Sequence, residues 1–438
     1  MLGKCCWAKH GGAFIMLAVF LVVSGAEISR AADSQRTIYI HANVVDTRLG
    51  QIVPDMAIVV VDDNIAFVTP MKDYRRSAND RTIDLNGKFV LPGLINSHVH
   101  LATSAVPKTA LAYLRRELFS GVTAVRDMAG DARLLTEIQR EAEFDEIPAP
   151  DIYFAAVFAG PEFFVDPRSH EASRGRVAGQ VPWMQAVTSE TDLRLAIARA
   201  AGTGATGIKL YGDLPAPLVE ALTAEAHRQG LMVWAHAAIF PAKPSDIAKA
   251  GVDVMSHACL LGYEVSEPPL TTNEDTRHVD ADKIGRPNAA IDAVLADMHK
   301  RGIILDATLR PYEIQDTVSC TAEQSDYLAR TAVRAGVMMS AGTDDDWDPA
   351  VPQSQLLTEI ELLVKKAGMT PADALKAATI VGAQTIGESK RMGAIEPGKL
   401  ANFVVLAGNP LVKIEAIRHP TMVVKHGARF EVSHISIQ

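Results

Sequence analysis

The chain has 438 residues, of which 48% are hydrophobic and 22% are charged, so it can bury one large core or several smaller ones. This composition excludes a chain that is disordered along most of its length. The formal net charge is −9, and basic residues occur at most in adjacent pairs. A nucleic-acid-binding protein needs a concentrated basic face, so no nucleic-acid partner is expected.

The start of the chain has the layout of a secretory signal peptide over residues 1–31. Two lysines precede an unbroken apolar run over residues 13–23, and small and polar residues follow it. This run is well short of the roughly 20 residues that a membrane-spanning helix needs. We therefore expect an exported protein, periplasmic or secreted, without a stable membrane anchor. Cleavage could follow Ala26 or Ala31, and the second site is favoured.

Two flanks of the remaining chain are rich in β-branched residues and turns. Residues 37–85 alternate short apolar runs with turn residues such as those at 62–64, which is typical of antiparallel strands and hairpins. A similar pattern returns after Gly398. Each flank is too short to form a stable sheet alone. We therefore predict one small β-sandwich-like domain built from residues 36–90 and 394–438.

Between the flanks, in residues 91–393, apolar runs alternate with segments of helical periodicity. The candidate strands are FVLPGLINSHVHL, GVTAVRDM, DIYFAAVFAG, TGIKLY, LMVWAHA, VDVMSHACL, GIILDATL and VMMSAGTD. Eight β/α units in succession predict an α/β fold, the closed (β/α)8 TIM barrel. Long connections follow strands 3 and 6, at residues 161–185 and 262–288, and such loops normally build the substrate site of a barrel.

Six residues that could hold a metal ion lie at or near the carboxyl ends of these strands. They are His98, His100, Lys209, His236, His257 and Asp344. His98 and His100 are two residues apart on strand 1, so their side chains share one face. An isolated His-x-His pair is weak evidence, because core or surface histidines explain it equally well. Chance placement of all six residues at one barrel mouth is a poor explanation.

The runs VLPGLINSHVH, GIKLY, WAHA, MSHA and AGTD occur in this order and resemble the amidohydrolase superfamily of metal-dependent hydrolases. Within the superfamily, a lysine on strand 4 with histidines on strands 5 and 6 resembles the binuclear subtype. The overall pattern is similar to the imidazolonepropionase-like and Xaa-Pro dipeptidase-like branch. The resemblance covers almost the whole chain after the signal segment, and it implies a hydrolase of amide or peptide carbon–nitrogen bonds.

The same resemblance implies two divalent metal ions held at the barrel mouth. His98, His100 and Asp344 would hold one ion, and His236 and His257 the other. Lys209 would bridge them as a carboxylated lysine, a carbamate formed with carbon dioxide; its ordinary alternative is an ion-paired or partly buried lysine. Imidazole and carboxylate ligands favour zinc, although manganese, cobalt or iron could occupy similar sites.

The resemblance also implies a mechanism and a range of substrates. A metal-bridging hydroxide would attack the carbonyl, and Asp344 would serve as general acid and base. The expected substrate is a small molecule or short peptide, with the bond in a peptide or N-acyl amino acid. The alternatives are a carbamate, urea, lactone or cyclic amide, and more remotely a non-catalytic barrel that binds a ligand. Relatives in this branch often assemble, which favours a homo-oligomer.

Four further residues are candidates for substrate contacts. His170 lies in the loop after strand 3, where a solvated histidine is equally compatible with the sequence. Tyr211 has the strand parity of Lys209, and simple barrel packing is its alternative. Tyr263 begins the loop after strand 6, and Arg310 lies just past strand 7, where its guanidinium could clamp a carboxylate.

The loops depart from the resembled peptidases in ways that bear on the substrate. After strand 3, an aromatic segment that includes Phe163 and Trp183 replaces a glycine- and histidine-containing element. The dipeptide specificity of such peptidases therefore does not transfer with the chemistry. Cys259 and Cys320 remain after the signal segment, and the sequence allows either one disulfide or two free thiols. Our hypothesis is a disulfide that joins the loop after strand 6, which begins near Cys259, to the loop after strand 7, which contains Cys320.

Overall fold

The computed structural model of the protein describes residues 36–77, 80–272, 279–314 and 320–432. The predicted signal segment lies outside these residues. Among the helices that are described, none combines the length and the apolar character needed to cross a membrane.

A sheet that does not belong to the barrel begins with the first strands of the chain. These are β1 (Arg36–Asp46), β2 (Gln51–Val61), β3 (Asn64–Pro70), β4 (Arg81–Asp84) and β5 (Phe89–Pro92). The first three are antiparallel neighbours, as predicted, whereas β4 and β5 pair with β1 in parallel. The antiparallel expectation for residues 37–85 was thus wrong for β4. The first candidate barrel strand, FVLPGLINSHVHL, is divided in the structure: its first part is β5 of this sheet, and only its second part, Leu94–Val99, is a barrel strand. The chain leaves β3 through a 3-10 helix, Met71–Asp73, and this longer connection allows β4 to run in the direction of β1.

The barrel is built from parallel strands, with a short hairpin added beside the third of them. In chain order the strands are β6 (Leu94–Val99), β7 (Val122–Asp127), β8 (Asp151–Ala159), the hairpin β9 (Gln180–Val181) and β10 (Met184–Ala186), β11 (Gly207–Leu210), β12 (Met232–His236), β13 (Val254–Ser256), β14 (Ile304–Asp306) and β15 (Met338–Ser340). Consecutive barrel strands pair in parallel from β6 to β15. A bridge between Val99 and Asp345 joins the first strand to the segment after the last. The predicted TIM barrel is confirmed.

Helices connect the barrel strands and cover the outside of the barrel. They are α1 (Pro107–Phe119), α2 (Ala132–Glu143), α3 (Pro167–Glu171), α4 (Leu193–Ala201), α5 (Ala216–Arg228), α6 (Pro244–Ala250), α7 (Ala281–Ile284), α8 (Ala289–Arg301), α9 (Arg310–Ile314), α10 (Ala322–Arg334), α11 (Leu356–Lys365), α12 (Pro371–Ala377) and α13 (Ile380–Thr385), with 3-10 helices at Pro161–Val165, Ala258–Val265 and Ile414–Arg418. In α2, for example, Leu134, Leu135 and Ile138 are buried on one face, and the Asp131 side chain caps the first turn.

The last strands of the chain return to the first sheet. They are β16 (Phe403–Leu406), β17 (Pro420–Lys425) and β18 (Ala428–Glu431). β16 pairs antiparallel with β5, with Val404 opposite Leu91, so both ends of the chain form one sheet as predicted. The domain boundaries at residues 90 and 394 stay predictions.

Two side chains at the end of β17 tie this sheet to the barrel. The buried Lys425 places Nζ 3.0 Å from one oxygen of Asp145 and one of Asp151. The Nε2 atom of His426 lies 3.0 Å from the other oxygen of Asp151. A buried ammonium group therefore has two carboxylate partners across the boundary between sheet and barrel.

A disulfide joins Cys259 to Cys320, as hypothesised. Cys259 lies in the 3-10 helix after β13, and Cys320 lies just before the capping residue of α10, Thr321. The bond therefore fastens the segment that follows His257 to a helix on the outside of the barrel.

Candidate active site

The structure brings the six predicted ligand residues together at the carboxyl end of the barrel. The ring centroids of His98 and His257 are 5.0 Å apart, and those of His236 and His257 are 4.7 Å apart. One oxygen of Asp344 lies 2.9 Å from Nε2 of His100 and 3.3 Å from Nε2 of His98. Donor atoms of His98, His257 and Asp344 all lie within 4.8 Å of one another, a spacing that could hold a metal ion.

Three of the imidazoles are held by the protein through Nδ1. The partners are Asp306 Oδ2 for His98, the Tyr211 carbonyl oxygen for His236 and Thr308 Oγ1 for His257, each at 2.8 Å. In His98 the other ring nitrogen, Nε2, lies 3.3 Å from Asp344, and a histidine with one nitrogen held by the protein is the arrangement that metal-binding histidines commonly adopt.

The Asp306 carboxylate is the part of the site that sequence reasoning missed. It is fully buried, and its Oδ2 also lies 3.2 Å from a terminal guanidinium nitrogen of Arg126. Arg126 is in turn fixed by Ser97, whose carbonyl accepts a bond from Nε at 2.5 Å, and by the ring of Trp234 below the guanidinium. The sequence did contain a signal for it, because Asp306 is the one acidic residue in the otherwise apolar run GIILDATL.

The surroundings keep three of the four histidines of the site neutral. Burial holds the pKa of His98 and of His236 well below the usual value, and it lowers the pKa of His257 to about 3. His100 differs, because burial would lower its pKa, but the hydrogen bond to Asp344 and the negative charge of that residue outweigh burial and raise it. Neutral imidazole is the form that binds a cation.

Asp344 is held as a carboxylate. Burial alone would raise its pKa, but the neighbouring His98, His257 and His100 outweigh that effect and hold the pKa well below its usual range. An anionic oxygen at this position can accept a proton from a reacting group or contribute to a metal site.

Lys209 is buried at the base of the same site. Within the described part of the chain, its Nζ has no hydrogen-bond partner. Burial, with a smaller contribution from the positive charge of Arg126, lowers its pKa to about 7. A buried ammonium without a hydrogen bond is costly, so an amine that can become neutral or be converted to an anion is favoured here.

Two residues of the site adopt left-handed backbone conformations. The φ angle is 73° at His257 and 49° at Asp344. Such angles are uncommon for residues other than glycine, and they concentrate at sites where the backbone must aim a side chain. His257 directly follows the last residue of β13, and Asp344 lies in the segment that follows β15, so both positive φ angles occur where the chain leaves a barrel strand.

A cleft opens beside His100. Of the four residues considered for substrate contacts, Tyr211 lines it. The other three lie elsewhere: His170 is exposed on α3, Tyr263 packs edge-on against Phe240, and Arg310 donates from Nε to Gln355. The cleft instead includes Arg168 and Asp166, two loop residues that sequence reasoning did not single out.

The sequence matches the Amidohydrolase family over residues 89–429. Ochratoxinase of Aspergillus niger is 24% identical over 444 residues, which cover 90% of this chain and 86% of that protein. An imidazolonepropionase of Deinococcus deserti is 26% identical over 405 residues, covering 80% of this chain and 85% of its own. A solved Xaa-Pro dipeptidase with bound methionine has the same fold, with a TM-score of 0.71 and 21% identity over 90% of this chain and all of that one.

The barrel and its cluster of histidines and carboxylates define a hydrolase with a candidate metal site. The chain belongs to the amidohydrolase family, in the branch of imidazolonepropionase-like and Xaa-Pro dipeptidase-like enzymes. It is therefore a hydrolase that acts on amide or other carbon–nitrogen bonds, and this sets aside the alternative of a non-catalytic barrel.

Proposed function

We propose that the protein is an exported, binuclear metal-dependent amidohydrolase that cleaves the amide bond of a short peptide or an N-acyl amino acid. The observation that carries this proposal is the clustering of the imidazoles of His98, His100 and His257 around the Asp344 carboxylate, at nitrogen–oxygen distances of 3.3, 2.9 and 3.7 Å, in the same site as the buried Lys209. The disulfide supports export, because such bonds persist in oxidising compartments.

The donor set fits two cations. His98, His100 and Asp344 would hold one, and His236 and His257 the other. Lys209, as a carbamate, would contribute to holding both cations. An amine with a pKa of about 7 is partly neutral at physiological pH, so it can react with carbon dioxide to form this group. Zinc suits these imidazole and carboxylate ligands. When bound, the two cations would polarise the scissile carbonyl and lower the pKa of a water molecule.

Asp344 has the proton-transfer role in this proposal. Its carboxylate is anionic at neutral pH, so it can take a proton from the attacking water and deliver it to the leaving nitrogen. The Nε2 atom of His100 lies 2.9 Å from one oxygen of this carboxylate, so the two side chains are close enough to contribute to the same cation site.

Metal analysis tests the proposal directly. Purified protein should bind two divalent ions per chain, lose hydrolysis of a dipeptide and N-acyl amino acid library on chelation, and recover it with zinc. Mass detection of products that have gained water identifies the bond, so cleavage of carbamates, ureas, lactones or cyclic amides would redirect the assignment. Hydrolysis that survives complete chelation would contradict it.

Lys209 has its own test. Lys209→Ala should lose activity, and a short carboxylic acid such as propionate should restore part of it by supplying the missing anion. Lys72→Ala, in an exposed 3-10 helix, is the matched control and should behave as the wild type. A fully active Lys209→Ala would remove the carbamate role.

A further inference from the structure

The loop after β8 folds back over the barrel mouth and builds an apolar slot within the cleft beside His100. The slot is lined by Ala129, Val157, Phe163, Met184 and Tyr211. Apart from Ala129, which is half-buried, each of these residues is at least nine-tenths buried. The lining comes from the barrel strands and from the aromatic segment in which the sequence departs from the resembled peptidases.

Backbone pairing and hydrogen bonds fix the shape of the slot. β10 extends the barrel sheet by pairing with β8, which sets Met184 directly beside Val157. The indole nitrogen of Trp183 donates to the carbonyl of Ala172 at 2.9 Å and so fastens the two arms of the loop together. A slot held in this way pays little ordering cost when a ligand enters it.

Two ring contacts, one tilted and one edge-on, connect the slot to the candidate metal ligands. The ring of Phe163 lies 4.6 Å from that of Tyr211, which in turn lies 4.1 Å from the imidazole of His236. A substrate group that packs against Phe163 and Tyr211 would therefore lie next to His236, one of the candidate metal ligands, and so near the place where the bond would be cleaved.

The charged groups of the cleft lie at its rim. Arg168 and Asp166 pair with each other, with a guanidinium nitrogen 2.7 Å from a carboxylate oxygen. Asp346 is exposed. Because Arg168 is already paired with Asp166, its guanidinium group is not free to draw a carboxylate into the slot. Its buried walls instead favour an apolar group, for which desolvation is favourable.

We infer that the slot binds a large apolar group, aromatic or long aliphatic, attached to one side of the scissile amide. The substrate class is thereby narrowed to N-acyl amino acids or short peptides that carry such a group next to the reacting bond. This inference rests on the proposed function.

Three substrates test it on both sides of the amide. N-benzoylglycine replaces the methyl group of N-acetylglycine with an aromatic ring on the acyl side, and N-acetylphenylalanine adds one on the amine side. At least one aromatic substrate should have a kcat/KM at least about tenfold above that of N-acetylglycine, the gain expected for burying a ring. Equal values for all three substrates would overturn the inference and leave amide hydrolysis intact.

Variants of the loop locate the effect. Phe163→Ala should lower the aromatic-to-methyl ratio about tenfold, whereas Phe163→Leu, which keeps much of the apolar volume, should lower it less. Val165→Ala changes an exposed residue of the same 3-10 helix and should leave the ratio unchanged. A ratio that is the same in Phe163→Ala and in the wild type would also overturn the inference.

A binding measurement separates this inference from the proposed function. Phenylacetamide should bind the purified protein at least about tenfold more tightly than acetamide in an NMR titration, and Phe163→Ala should reduce the difference. If no substrate is hydrolysed but this difference is found, the proposed function fails and the slot stands. If amides are hydrolysed and the two probes bind equally, the slot fails alone.

Discussion

The Nδ1 atom of His98 lies 2.8 Å from Oδ2 of Asp306, and both side chains are buried. Arg126 contacts the same carboxylate oxygen and holds it in place. The position of the His98 imidazole therefore depends on Asp306 and, through it, on Arg126. His98 thus depends on a residue of β14, a strand that does not pair with its own strand β6 and that would contribute no metal ligand through Asp306.

Asp306→Asn should lower metal affinity about 10- to 100-fold, the usual cost of losing the group that orients a metal-binding histidine. Competition against a chromophoric chelator measures this loss independently of turnover. Asp297→Asn, which removes an exposed ion pair with Arg301, is the matched control and should bind metal as the wild type does. Unchanged affinity in Asp306→Asn would show that His98 is positioned without it.

Gly342→Ala should disrupt the same part of the site. A β-carbon at residue 342 would lie 2.7 Å from the β-carbon of His98 and even closer to Asp306 Oδ1. We expect a loss of about 1–3 kcal/mol in the free energy of unfolding together with weaker metal binding. Gly202→Ala is the control, because its nearest neighbours lie at 3.4 Å and beyond. Denaturant titration of both variants decides, and equal stability would contradict the predicted clash.

His426 should make the protein less stable in alkali. Burial would lower its pKa, but hydrogen bonds to Asp145 and Asp151 outweigh burial and raise the pKa to about 9. A raised folded-state pKa contributes stability that is complete below the unfolded value of about 6.5 and is lost as pH rises through 9. We expect a loss of about 2 kcal/mol over this range, measured by denaturant unfolding. His426→Gln should flatten this dependence, and a wild-type profile that is already flat would contradict it.

Removing the disulfide should destabilise the protein. The bond closes a loop between residues 61 apart in sequence, and restricting the unfolded chain in this way is worth about 4 kcal/mol. Cys259→Ser with Cys320→Ser should therefore lower the unfolding midpoint, whereas Ser77→Ala and Ser389→Ala, at exposed positions, should not. Non-reducing peptide mapping should find the two cysteine peptides linked in the wild type, and their separate recovery would refute the bond.

The sequence was sufficient to predict the barrel, because its strands appear as apolar runs with polar residues at their ends. The same regularity identified His98, Lys209 and His236, whose positions follow from strand parity. The parallel course of β4 and β5 was beyond such reasoning, since pairing partners depend on the path of the chain between strands.

The apolar slot and the left-handed turn at Asp344 could not be predicted either. Phe163 and Met184 meet only because β10 adds to β8, and no periodicity in a loop of this length indicates that pairing. Likewise, Arg310 has the chemistry of a carboxylate clamp, but Gln355 on the neighbouring segment takes its Nε donor. Which strands pair and which group a side chain contacts depend on the neighbours that the tertiary structure provides, and residue type alone does not determine them.

The pairing of β5 with β16 has a consequence for how the chain is made. During synthesis, β5 leaves the ribosome before any barrel strand, but its partner emerges only after the whole barrel has been translated. Until then one edge of the first sheet is open to other strands. The strands formed last thus complete the sheet formed first. A nascent chain that stalls before β16 would expose the unpaired edge of β5, which could pair with strands of other chains.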